Sequence, residues 1–236
     1  MTKAFSGKVE SGFPLKMRSE KDHVPKFQFY GRRKGKPLRR IHVGLMETLL
    51  PQVAVDLAEP LKEAGERSWL EIGFGGGEHL AHQATQNPDV TILGAEPYLN
   101  GVAKLLSEIE TRALKNVRVH YGDARVLLEN LPAQSFERVY LLYPDPWPKA
   151  RQNKRRFVNP SNLEQIHRVL KPNGDFWFAS DIDDYVTWTR DHVSASKLFI
   201  EHGDDQQPFE NWTRTRYEAK AVREGRGQNY LRFKKN

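Results

Sequence analysis

The 236-residue chain contains no cysteine, which excludes disulfide staples and thiolate metal sites. It has no apolar run near the ~20 residues that a membrane-spanning helix needs. The opening MTKAFSGKVE has none of the apolar stretch of a signal peptide, so cytoplasmic residence is the default expectation. Internal repeats and low-complexity tracts are also missing, which excludes solenoids and arrays. A chain of this length can bury one good-sized core. What the first forty residues have little of is acid: they carry 12 Lys/Arg against three Asp/Glu, so the remainder of a chain of net charge +7 sums to −2. The expected organisation is a basic, flexible N-terminal arm over residues 1–40 and a single domain over residues 41–236.

Two further basic clusters lie inside the domain. Lys149 to Arg156 holds five cations and no acid, and Arg214 to Lys235 holds eight against two. Charge segregated in this way suits a polyanion gripped at one rim with release of counterions, while an acidic body discourages indiscriminate binding. A solubilising tail would account for the arm equally well, but not for the internal clusters.

Hydropathy patterning predicts helix over residues 43–58, interrupted at Pro51, and then an alternation. Strands are expected at 68–73, 91–96, 117–121, 137–143 and 175–180, and helices at 78–86, 100–115, 124–130, 160–170 and 183–196. Two more strands, 198–202 and 229–233, are joined by a long polar insert over residues 203–228. Strand–helix alternation with short connections predicts an α/β fold with a doubly wound, mostly parallel sheet. An insert of that length in a compact domain points to function.

The most informative segment is Tyr143-Pro144-Asp145-Pro146-Trp147-Pro148-Lys149. It follows an apolar strand, and in an open α/β sheet ligands bind at the carboxyl ends of strands. Its prolines restrict both themselves and the residues before them, so extended geometry is expected at Asp145 and Trp147. A carboxylate, an aromatic face and a cation on one stiff loop form a grip for a flat polar group. Trp147 and Tyr143 are candidates to stack on such a group, and burial in the core is the alternative for both.

A second pocket element is LEIGFGGGEHL, in which a strand runs into Gly73 and Gly75 and then a helix. Glycines there allow a tight turn and a close backbone approach to a ligand. A dinucleotide would need a helix N-terminus free for phosphate, yet Glu78 occupies that position. Acids recur instead at strand ends: Glu71, Glu96, Asp123 and Asp145. A rim of carboxylates fits a ligand with ribose, amines and a cation but no phosphate, which describes S-adenosylmethionine. Glu96 would take ribose hydroxyls, and Asp123 the adenine amine unless it is only a helix N-cap. N-capping is likewise the alternative for Asp181. His79 and His82 lack an apparent third ligand, so no metal is expected and a surface pair is the reading for them.

The segments LEIGFGGG, GAEPYLNGV, GDA, LLYPDPWPKARQNKRR, SDIDDYVTW and TRYEAKAVREG, in this order from about Gly31 to Phe233, resemble the bacterial tRNA (guanine-N7-)-methyltransferases. The resemblance implies a class I S-adenosylmethionine-dependent methyltransferase, Rossmann-like, with a mostly parallel seven-stranded sheet, that methylates N7 of a guanine in the tRNA variable loop. It assigns cofactor contact to Glu71, Glu96, Asp123 and Asp145, with the glycine loop at Gly73 and Gly75, and catalysis to Asp145. Substrate contact falls to Lys149, Asp181 and Thr215, Arg216, Tyr217 and Glu218. Arg151, Lys154, Arg155 and Arg156 would meet phosphates beside the target base. The partner implied is tRNA, with no membrane, no metal and no obligate protein partner. Two departures from the family pattern are Tyr143, where phenylalanine is usual, and Pro97-Tyr98-Leu99-Asn100 in place of the commoner Val-His-x-Pro.

Overall fold

The computed structural model describes residues 27–61 and 65–236, so most of the predicted arm lies outside the described residues. Seven strands form one sheet: β1 (Ser68–Ile72), β2 (Thr91–Ala95), β3 (Val117–His120), β4 (Phe136–Leu142), β5 (Leu170–Ser180), β6 (Phe199–His202) and β7 (Asn229–Lys235). Their spatial order is β3-β2-β1-β4-β5-β7-β6. All neighbours pair in parallel except β7, which runs antiparallel to both β5 and β6. The central strands β1 and β2 are buried at every residue, which is why they read as continuous apolar runs without alternation.

Helices cover both faces. Trp69 and Ile92 point to the side of α3 (Glu78–Gln86) and α4 (Leu99–Arg112), where Leu80, Leu105 and Leu106 complete the packing. Leu70 and Leu93 point to the side of α5 (Ala124–Asn130), α6 (Pro160–Val169) and α7 (Asp183–Ser196), against Leu127, Leu163 and Ile166. Each such side chain contributes roughly 1.5–3 kcal/mol through burial. The chain leaves β1 for β2 on one side and later returns to place β4 on the other. That switch point opens a crevice above the carboxyl ends of β1, β2 and β4.

The structure departs from expectation in four places. The predicted helix over 43–58 is two helices, α1 (Arg40–Thr48) and α2 (Leu50–Val53), with Pro51 in the first turn of the second. After it, Val55 donates to the Val119 carbonyl at 2.9 Å, so the chain leaves helix to extend the β3 edge. β5 begins at Leu170, but its register with β4 jumps between Phe136–Leu170 and Arg138–Asp175. The regular ladder is therefore the expected 175–180, and Pro172-Asn173-Gly174, with Asn173 at φ 60°, bulges out before it. The polar insert contains α8 (Arg216–Arg223). Last, the described part of the arm packs on the domain: the Leu99 amide donates to Arg33 O at 2.9 Å, and Asn100 bridges Gly35 N and Lys36 O at 2.8 and 2.7 Å.

Candidate active site

A cavity of about 730 Å³ occupies the switch-point crevice, lined by Gly75, Glu96, Asp123, Asp145, Trp147 and Arg216 among others. The size is that of a small-molecule site. Residues 28–32, from the predicted arm, form part of its wall.

The floor is the glycine loop. Gly73 and Gly75 both have positive φ, at 71° and 58°, a region that side chains with a Cβ rarely adopt. The helix behind it comes equally close: a Cβ on Gly101 would lie 2.1 Å from the Gly75 carbonyl oxygen. Gly101, in the GAEPYLNGV segment, thus supports the pocket floor from behind. Above the loop sit Arg216 and Tyr217, each with an atom 3.3 Å from where a Gly75 Cβ would be. Arg216 also faces Glu78 at 4.0 Å, so a cation covers the acid that stands at the start of α3.

Glu96 closes β2. Its carboxylate accepts from Gly75 N at 2.7 Å and from Tyr98 N at 2.8 Å. Burial raises its pKa above the ordinary value, while those two amides and the charge of Arg216 hold it down. A carboxylate has about four lone-pair sites, so two remain for hydroxyls entering the cavity. Asp123 both lines the cavity and caps α5, accepting from Arg125 N at 3.0 Å, and its carboxylate is gripped by the Arg125 guanidinium with Nη2 at 2.5 Å. Capping and pocket lining are therefore not alternatives here.

Asp145 is exposed on its loop, and its carboxylate has no hydrogen-bond or ion-pair partner among the described residues. Desolvation by the surrounding wall pushes its pKa up. The residues on either side do not take the extended geometry expected before proline. Tyr143 has φ 48° and Trp147 φ 44°, a strained region for bulky side chains that persists only where neighbours fix it. Tyr143 is fixed by its amide to Ala179 O at 2.8 Å and by its hydroxyl to Gln228 at 2.6 Å. It is half-buried against the core cluster and also forms part of the cavity wall. Trp147 stands edge-on to Tyr30, with ring centroids 6.1 Å apart. The Arg155 guanidinium lies 4.3 Å from the Tyr30 ring and 4.9 Å from Trp147.

Several other candidates have duties away from the cavity. Glu71 is buried outside the cavity lining, with its carboxylate 2.7 Å from His79 Nδ1. His79 is therefore a core residue instead of half of a surface pair, and among the described residues no cluster of three His, Asp or Glu could hold a metal ion. Asp181 is not the α7 cap; it accepts from Arg226 Nε at 2.6 Å. The Thr215–Glu218 segment divides. Arg216 and Tyr217 reach the cavity, while Thr215 caps α8 by accepting from Glu218 N at 3.1 Å. Glu218 is only 3 % exposed and accepts from Trp212 Nε1 and the Tyr230 hydroxyl, both at 2.8 Å. The T-x-x-E spacing that starts α8 is a capping-box signal legible in the sequence. Of the basic run, Lys149, Arg151 and Lys154 are exposed. Arg156 is not: it is 2 % exposed and forms part of the cavity wall, so a direct phosphate contact is withdrawn for it.

A family model described as a putative methyltransferase matches residues 66–231. A protein of Rhizobium meliloti (strain 1021) named tRNA (guanine-N(7)-)-methyltransferase is 48% identical over 219 residues, covering 88% of this chain and 94% of the relative. One of the same name from Agrobacterium fabrum is 51% identical over 217 residues, covering 87% and 94%. The chain belongs to this methyltransferase family. Its fold is that of class I S-adenosylmethionine-dependent methyltransferases. The 16S rRNA methyltransferase KamB superposes with a TM-score of 0.56 at 15% identity, covering 75% of this chain and 90% of the other. A 30S ribosomal A1408 methyltransferase from an uncultured bacterium gives 0.53 at 15%, covering 77% and 95%.

The cavity fits the donor that this family uses. The methyltransferase carries a carboxylate with two spare acceptor sites at the end of β2, a second acid at the end of β3, and a glycine floor whose adjoining helix N-terminus is occupied by Glu78 instead of being open to phosphate.

Proposed function

We propose that this chain transfers a methyl group from S-adenosylmethionine to N7 of a guanine in tRNA, in the variable loop, giving N7-methylguanine. The observation that carries the reading is the shared cavity: Glu96 at the donor end and Asp145 at its mouth, unpartnered among the described residues, open onto the same space, between exposed cations on the 3-10 helix Ala150–Arg155 and the TRYE segment. Bound S-adenosylmethionine supplies a methyl group on a positively charged sulfur.

Guanine N7 already presents a lone pair, so no residue has to remove a proton from it. The protein's task is alignment and charge stabilisation. Glu96 holds the ribose end and the glycine floor sets the depth. Asp145, ionised, faces the N1 edge of the purine, across the ring system from N7, and is favoured there as the positive charge of the new bond spreads through the rings. As an acceptor it can also take hydrogen bonds from guanine N1–H and the exocyclic amine, which adenine does not offer in that arrangement. A base drawn out of a folded RNA loses its stacking, and an aromatic and guanidinium surface replaces it; Trp147 with Arg155 offers that surface at the mouth. Lys149, Arg151 and Lys154 flank it for phosphates. Cytoplasmic residence and action without an obligate protein partner belong to the same proposal.

The test is to incubate the protein with methyl-labelled S-adenosylmethionine and bulk tRNA, digest the RNA and identify the labelled nucleoside. Label in N7-methylguanosine, mapping to the variable loop, is the expected result. Label in another nucleoside, or none, overturns the reading.

A further inference from the structure

The catalytic loop contains an acid that nothing holds directly. Asp145 makes no side-chain hydrogen bond or ion pair among the described residues, so its aim is set by the backbone on which it stands. That backbone is strained on both sides, at Tyr143 and at Trp147. A strained loop keeps one geometry only if its surroundings over-determine it.

Arg156 supplies that restraint. Its side chain is fully buried. Nε donates to the carbonyl of Pro146, the residue between Asp145 and Trp147, at 2.9 Å. The other end of the guanidinium donates to the Asp184 carbonyl at 3.4 Å and to the Asp184 carboxylate. The Tyr185 and Trp188 rings lie beside it, 4.9 and 5.1 Å from its carbon. The same two side chains also secure the next residues: the Tyr185 hydroxyl accepts from Phe157 N at 2.9 Å, and Trp188 Nε1 donates to Val158 O at 2.8 Å. The first turns of α7 are thus tied to the loop after β4 through one guanidinium.

We infer that Arg156 is a positioning residue for methyl transfer, acting on Asp145 through the Pro146 carbonyl. It acts through the loop and not as a phosphate contact. A planar fork can serve a carbonyl on one side and a carboxylate on the other, which a lysine ammonium cannot do from one position. The inference rests on the role of Asp145 proposed above.

The experiment compares Arg156→Lys, Arg156→Ala, Asp145→Asn and the double variant Asp145→Asn with Arg156→Ala, in single-turnover methyl transfer at saturating donor and tRNA. Arg156→Ala should lower the rate on the order of 10- to 100-fold, the scale of a misplaced catalytic group, with Arg156→Lys in between. Donor affinity and the salt dependence of tRNA affinity should stay as in the parent. In the double variant Arg156→Ala should cost little beyond Asp145→Asn, because an acid already removed cannot be misplaced. Where Arg156→Ala does not fold, Asp184→Asn, at an exposed carboxylate, takes its place with a smaller loss of rate and the same non-additivity. Full additivity with Asp145→Asn, or a flattened salt slope, overturns the inference. So does a parental rate in a folded Arg156→Ala. If Asp145→Asn itself transfers methyl at the parental rate, it is the reading of Asp145 that fails.

Discussion

The carboxylate of Glu96 accepts a hydrogen bond from the amide of Gly75 at 2.7 Å. The acid that ends β2 and the glycine loop that follows β1 therefore form one rigid corner of the cavity.

Replacing Glu96 by Ala removes the ribose acceptors and leaves Gly75 N without its partner. Affinity for S-adenosylmethionine and for S-adenosylhomocysteine should fall together, by roughly 1.5–3 kcal/mol for hydrogen bonds to a charged group. Calorimetry with both ligands checks this. Affinities equal to the parent's would remove Glu96 from the donor site.

Glu218 has a second duty that its sequence position does not reveal. Its buried carboxylate holds Trp212 and Tyr230, so Glu218→Ala leaves two donors without an acceptor. The expected loss is about 2 kcal/mol or more, a drop of about 4–8 °C in melting temperature for a domain of this size. Glu218→Gln, which keeps one acceptor, should lose less. A parental melting temperature in the Ala variant would show that these hydrogen bonds carry no stability.

The contrast between Glu96 and Glu218 shows where sequence reasoning succeeds. The order of strands and helices is legible because central parallel strands are apolar throughout and the helices between them are amphipathic. The acids at strand ends are legible because topology alone brings carboxyl ends to one crevice, and Glu96, Asp123 and Asp145 do meet there. What a side chain does on arrival is not legible. Glu71 and Glu218 face the core, and Arg156 folds beneath the loop, because partners on other elements, His79, Tyr230 and Asp184, set their direction. Proline rules also fail at Tyr143 and Trp147, where tertiary contacts outweigh local preference. α8 escapes a hydropathy reading although T-x-x-E marks its start, since its exposed face makes the segment read as polar.

Neutralising the exposed Lys149, Arg151 and Lys154 together should weaken tRNA binding. The plot of log affinity against log salt should flatten by about 0.7–0.9 for each phosphate that is no longer neutralised. Donor affinity should not change. An unaltered slope would place these cations away from the RNA.

Desolvation by the cavity wall raises the pKa of Asp145 above its ordinary 3.8. If the ionised form stabilises the charge on guanine, activity is full above the raised pKa and is lost as pH falls through it. The acid limb of the rate profile should therefore lie above pH 3.8. Asp145→Asn should abolish that limb. A limb that persists unshifted in the variant belongs to another group.

The most direct test of the account is single-turnover methyl transfer to tRNA by Asp145→Asn, with N7-methylguanosine as the product measured. The side chain keeps its shape and loses its charge, so the rate at saturating donor should fall ~100-fold or more, as for loss of one preorganised transition-state group. A rate within a few fold of the parent, at saturating donor and tRNA, would contradict it.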